Sequence, residues 1–136
     1  MSESSIHIEL VDKLVDWISK SFCGGDHGYI FIESPDNPAG KRPQQVFGFV
    51  PDVMVMNAPG YKCVIGEAKT ANDIDNQHTI DQIGAFLRKC AEFEDSFLVF
   101  AVPWYRVGLA RSIVRYCCRN TSINDISIMV LDKLPG

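Results

Sequence analysis

Long apolar runs are absent from the 136-residue chain. None approaches the roughly 18 residues that a membrane span requires, and Met1 to Ser5 carry neither the basic nor the apolar region of a signal peptide. A soluble, cytoplasmic protein with no membrane partner is therefore expected. The five cysteines, Cys23, Cys63, Cys90, Cys117 and Cys118, contain no CxxC pair, and an odd number cannot close completely into intramolecular disulfides. A reduced chain fits this pattern. Cys23 and His27 would supply two zinc ligands, but no second pair stands at a suitable spacing, so a turn before a strand is the simpler reading of that stretch. Basic charge is also scarce. Thirteen Lys and Arg face seventeen Asp and Glu, for a net charge of −4, which disfavours non-specific coating of nucleic acid while leaving a local basic groove open. There is no nucleophile elbow for a Ser-His-Asp enzyme and no Gly-rich loop to cradle phosphates, and the cysteines sit mainly in apolar runs. No organic cofactor is expected.

What the chain does have is an ordinary globular composition, 46% apolar and 22% charged, enough for a single domain over residues 1–136 that folds without disulfides or a structural metal. Ile6, Leu10, Val11, Leu14, Trp17 and Ile18 recur at helical spacing and predict a first helix over 5–21, ended by Cys23-Gly24-Gly25. A short β-rich stretch, 29–33, precedes a polar loop over 34–42 that holds Pro35, Asp36, Asn37, Pro38 and Gly40. Two β-rich runs, 46–56 and 61–68, flank Asn57-Ala58-Pro59-Gly60 and predict an antiparallel hairpin. A helix over 79–94, a buried strand over 96–102, a helix over 104–119 and a last strand over 123–131 complete the chain. The order α-β-β-β-α-β-α-β predicts an α/β fold with a mixed central sheet flanked by helices.

The chemistry concentrates on the hairpin. Asp52 follows Pro51 in its first strand, and Glu67 and Lys69 stand near the end of its second, on one face because they are two residues apart. If the turn pairs Met56 with Tyr61, Asp52 lies opposite Ile65 and Glu67 is its diagonal neighbour, with Cβ atoms roughly 7 Å apart. Two converging carboxylates make a hard-oxygen site suited to Mg²⁺, which takes one or two protein carboxylates and keeps several waters. A lysine beside such a site suits phosphodiester hydrolysis, because it orients water and stabilises charge building on phosphate. Taken as isolated charges, the same three residues also fit exposed strand ends.

Pro51-Asp52, fourteen intervening residues, then Glu67-Ala68-Lys69 resembles the bipartite motif of the PD-(D/E)XK nuclease superfamily. That family has a restriction-endonuclease-like αβββαβ core with the motif on the second and third strands, and the element order above resembles it over nearly the whole chain. The resemblance implies a Mg²⁺-dependent DNA endonuclease, with Mn²⁺ able to substitute. Asp52 and Glu67 would be metal ligands, the backbone carbonyl of Ala68 a further ligand, and Lys69 the residue serving the attacking water. It also implies a glutamine on the following helix. Gln82, in Asp81-Gln82-Ile83-Gly84-Ala85-Phe86, resembles the QxxxY form with Phe86 in place of Tyr. Thr79 and Gln82 equally fit a capping box. In the family the first helix frequently adds an acid; Glu9 is the candidate here, with His7 at the position of a slightly different alignment, and a solvated Glu9 remains the plain alternative.

Lys41 and Arg42, leading into the hairpin, are candidate contacts to DNA, as are Arg111, Arg115 and Arg119, spaced by four on the last helix. Each group also fits an ordinary solvated surface. His27 and His78 read as loop residues, His78 lying near Gln82 in sequence. The expected partner is DNA, in a resolvase-like, structure-selective role or a restriction or repair role. A non-catalytic nucleic-acid-binding or assembly module with the same fold is the second reading, and a metal-binding structural protein the third. Cutting both strands of a duplex with one small domain calls for a homodimer or another protein, and Phe47, Phe49, Trp104 and Tyr105 are the apolar candidates for a dimer surface.

Overall fold

The computed structural model describes residues 5–33 and 41–134. Most of the polar connection expected over 34–42 lies outside the described residues, as do Met1 to Ser4; Lys41 and Arg42 lie within them. Helix α1, Ser5–Phe22, leads to strand β1, Ile30–Ile32, and then to the hairpin strands β2, Val53–Ala58, and β3, Tyr61–Ala68. Helix α2, Gln77–Cys90, strand β4, Ser96–Pro103, helix α3, Val107–Thr121, and strand β5, Ser127–Leu134, follow. The sheet runs β1-β2-β3-β4-β5 in space, antiparallel from β1 to β3 and parallel from β3 to β5. The α/β fold with a mixed sheet predicted from the sequence is the fold observed.

Each face of the sheet is buried by a helical layer, which explains why β4 is a nearly unbroken apolar run. On one face Leu10, Leu14 and Ile18 of α1 pack on Val53, Val55, Val64, Val99 and Ala101. On the other, Ile83, Phe86 and Leu87 of α2 and Ile113 and Val114 of α3 pack on Met54, Ile65, Leu98 and Phe100. Gly66 lets α1 approach the sheet closely. A Cβ built there would stand 2.7 Å from Cδ1 of Ile18 and 3.1 Å from Cδ2 of Leu14, so an added side chain would have to displace those side-chain ends or the helix that carries them. Gly24 and Gly25, both at positive φ, end α1 in a turn whose Cys23 and Gly25 amides donate back to the Ser19 carbonyl.

Element boundaries depart from the sequence expectation where special backbone chemistry intervenes. The strand expected over 46–56 is two pieces. Val46 and Phe49 exchange both backbone hydrogen bonds across a tight turn, with Phe47 at φ 48° and Gly48 at φ 91°, and β2 begins only at Val53, after Pro51. Helix α2 starts at Gln77, because Asn76 caps it by accepting the Thr79 amide at 2.8 Å. Thr79 is thus inside the helix, and the capping box expected of Thr79 and Gln82 does not form. Trp104 to Arg106 make a separate 3-10 turn before α3. The last strand starts at Ser127, after α3 has run on to Thr121 and closed through Ser122 at φ 59°.

All five cysteines are free thiols. Among the described residues no helix is long and apolar enough to cross a membrane.

Candidate active site

The hairpin register brings the acidic pair closer than expected. The turn is two residues, Pro59-Gly60, so Ala58 pairs with Tyr61, Met56 with Cys63 and Val53 with Gly66. Asp52 therefore stands opposite Glu67 at the mouth of the ladder. Ile65, the expected partner of Asp52, pairs with Met54. A two-residue slip keeps every side chain on its face, so the convergence survives the change of register.

Backbone hydrogen bonds lock the pair in both directions. The Asp52 amide donates to Oε1 of Glu67 at 3.1 Å, and the Ala68 amide donates to Oδ2 of Asp52 at 2.9 Å. Both acids are buried, Glu67 at 3% and Asp52 at 8% exposure, so the two carboxyl groups share a site with little water. Lys69 supplies an ammonium, with Nζ 3.6 Å from Oε2 of Glu67, and its amide donates to the Ala101 carbonyl of β4 at 3.0 Å. Burial, and after it the charge of Asp52, push the Glu67 carboxyl well above the ordinary carboxylate range; Lys69 pulls the other way without cancelling them.

Helix α1 reaches the site through His7. Its Nε2 lies 3.4 Å from Oδ2 of Asp52. Glu9, the acid expected from this helix, is two residues and so about 200° further round, and it is exposed. The structure thus brings His7, not Glu9, to Asp52. The signal for His7 was present in the sequence only as a neighbouring alignment position.

Gln82 lies on the sheet-facing stripe of α2, which covers the face shared by Asp52, Met54, Ile65 and Glu67. It is 7% exposed, and its Oε1 is buried without a hydrogen-bond partner. A buried carbonyl oxygen left unsatisfied costs about 1–3 kcal/mol, so it is placed to receive a donor. Phe86, one turn on, is fully buried in the core, where a tyrosine hydroxyl would need its own partner.

The basic candidates divide. The Lys41 carbonyl accepts from the Ile32 amide, so Lys41 and Arg42 run beside the end of β1. Arg42 pairs with Glu33 at 3.2 Å, and the Glu33 amide donates to the Asp52 carbonyl at 2.9 Å, which ties this segment to the acidic pair. Lys41 donates to the Gly28 carbonyl at 2.7 Å and stands over the Phe31 ring. Arg111, Arg115 and Arg119 are all exposed on α3. Arg111 and Arg115 border a shallow groove with Ile128, Met129 and Val130 of β5, two strands away from β3. His78 packs edge-on against Phe49, with ring centroids 5.5 Å apart.

Among the described residues no group of three or more His, Cys, Asp and Glu side chains is gathered to enclose a metal ion. Two buried carboxyl groups facing each other, whose burial and mutual repulsion a cation would offset, fit a hard divalent ion that takes one or two carboxylates and completes its shell with water and phosphate oxygens. Compared with family models, with curated proteins and with solved structures, the chain finds no match in any of the three.

Proposed function

We propose that the chain is a Mg²⁺-dependent nuclease that hydrolyses DNA phosphodiester bonds. The observation that carries this reading is the direct opposition of Asp52 and Glu67 with Lys69 beside them, at the end of a two-stranded ladder. Asp52 and Glu67 would hold the cation, with the Ala68 carbonyl as a further oxygen donor and Mn²⁺ as a substitute ion. The cation would supply Lewis-acid stabilisation of charge on the scissile phosphate and lower the pKa of a bound water.

The chain's own groups account for the rest. The Ala68 and Asp52 amides fix the two carboxylates, so neither has to be ordered when substrate arrives. Lys69, anchored through its amide to β4, orients the attacking water and stabilises the growing negative charge on phosphate. His7 meets the same Asp52 oxygen that the Ala68 amide reaches, and takes the place in the site expected for an acid from α1. Gln82 offers its unpartnered oxygen as an acceptor for a water or a substrate donor. Lys41 and Arg42 adjoin the acidic pair through Glu33 and are suited to phosphates next to the scissile bond, whereas Arg111, Arg115 and Arg119 would meet a strand further out. A homodimer would set two such sites against opposite strands.

Incubation with single-stranded, duplex, flapped and four-way DNA in Mg²⁺, Mn²⁺ or Ca²⁺ tests the proposal. Cleavage is expected with the first two ions, and binding with little cleavage in Ca²⁺, which is larger and tolerates looser oxygen geometry. Salt-sensitive binding with no cleavage of any substrate would leave a nucleic-acid-binding module in place of the enzyme.

A further inference from the structure

The most exposed aromatic pair of the molecule stands at the end of the strand beside the candidate site. Trp104 is 67% and Tyr105 54% exposed, and their rings meet edge to face with centroids 5.6 Å apart. Large aromatic side chains left in water at adjacent positions forgo the burial that ordinarily stabilises them.

Their position follows from the strand register. β4 runs parallel to β3 with Ala101 beside Ala68, and the Lys69 amide donates to the Ala101 carbonyl. Trp104 is the first residue past β4, in the 3-10 turn Trp104–Arg106. One strand spacing sideways and two residues along put its backbone roughly 8 Å from that of Lys69. The third residue of the turn, Arg106, has its Nε buried with no hydrogen-bond partner. Two exposed rings, one strand from a site suited to phosphodiesters, match what an unpaired nucleotide presents: a flat π-face. A base inside a duplex is stacked on both faces and has no free surface for either ring.

We propose that Trp104 and Tyr105 form a stacking platform for unpaired bases, and that the substrate class is therefore single-stranded or locally unpaired DNA. This inference rests on the nuclease reading for the location of the scissile phosphate, but its test does not depend on cleavage.

The full chain carrying Trp17→Phe retains Trp104 as its sole tryptophan. Titrated with oligothymidine in chelator, where no divalent ion supports cleavage, its fluorescence is quenched as bases stack, and a duplex of equal length quenches far less. Trp104→Ala or Tyr105→Ala in the otherwise native chain weakens oligothymidine binding by roughly 5- to 100-fold per lost stacked base. Trp104→Phe retains most of that affinity, duplex binding changes less than twofold, and the thermal melt is unmoved because both rings lie outside the core. Equal quenching by single strand and duplex, or unchanged affinity in the alanine variants, overturns the platform. So does a Trp104 signal that follows protein concentration without DNA, which would make the pair a contact between copies of the chain. Single-strand quenching in a protein that cleaves nothing in Mg²⁺ or Mn²⁺ supports the platform and removes the nuclease reading. Equal cleavage of single-stranded and duplex DNA, undiminished in Trp104→Ala, overturns the platform and leaves the nuclease reading standing.

Discussion

Asp52 and Glu67 face each other across the β2–β3 ladder, and the backbone amide of Asp52 donates to Oε1 of Glu67 at 3.1 Å. The two acids belong to strands joined by the shortest of hairpin loops, so their separation is fixed by the sheet and not by side-chain choice. Burial, and after it the neighbouring charge of Asp52, make Glu67 retain its proton to higher pH than a solvated glutamate. A divalent cation held between them, as proposed, would turn that repulsion into binding.

Stability without a cation is accordingly expected to fall as pH rises. The folded chain keeps the Glu67 proton over a window in which the unfolded chain, titrating in the ordinary carboxylate range, has already released it. Folding is then linked to proton uptake, so the stability contributed by the protonated carboxyl is complete below the ordinary range and is lost as pH climbs to the raised value. Thermal melts in chelator across this window check the sign. Glu67→Gln should flatten the dependence, and a wild-type melt that rises with pH there would contradict it.

Lys69→Ala is expected to lower turnover by roughly 10²- to 10³-fold, the usual loss when one group stabilising a transition state is removed. Metal affinity should change much less, since Lys69 contacts Glu67 and not the ion. Isothermal titration with Mn²⁺ beside single-turnover rates separates the two effects. A defect confined to metal binding would reassign the residue.

Gly66→Ala should destabilise the fold by about 1–3 kcal/mol, the usual cost of overpacking, because its Cβ would meet Ile18 and Leu14 of α1. Urea denaturation measures it. Gly84→Ala, with open space around the added Cβ, serves as the control and should be neutral or slightly stabilising, alanine being the better helix former.

Much of this was legible in the chain itself. β3 was bounded correctly at both ends because its apolar run begins after Pro59-Gly60 and stops at charged Lys69, and α1 was clear from its 3.6-residue stripe. The acidic pair could be found from Asp52, Glu67 and Lys69 alone, because a strand's two-residue period puts Glu67 and Lys69 on one face whatever the register. The register itself is not legible: Asn57 accepts φ 58° while staying within β2, so a four-residue turn signal closes in two residues. The sequence leaves Gln82 open between a site role and half of a capping box, because Asn76, three residues before Thr79, is an equally good cap and local sequence does not rank the two. His7 was hard to prefer over Glu9, since which side of α1 meets Asp52 depends on how α1 docks over Gly66, a tertiary contact. The Trp104–Tyr105 pair was visible as surplus aromatics, but only the parallel pairing of β4 with β3 places it beside Lys69.

The central claim is that Asp52 and Glu67 are the groups through which a divalent cation drives phosphodiester cleavage, and the most direct measurement compares wild type, Asp52→Ala and Glu67→Ala on radiolabelled single-stranded and branched DNA with and without Mg²⁺ or Mn²⁺. The account predicts cleavage by the wild type that requires the cation and is abolished in both variants, with circular dichroism showing each variant folded. Wild-type rates in either folded variant, or wild-type cleavage that persists in chelator, would contradict it.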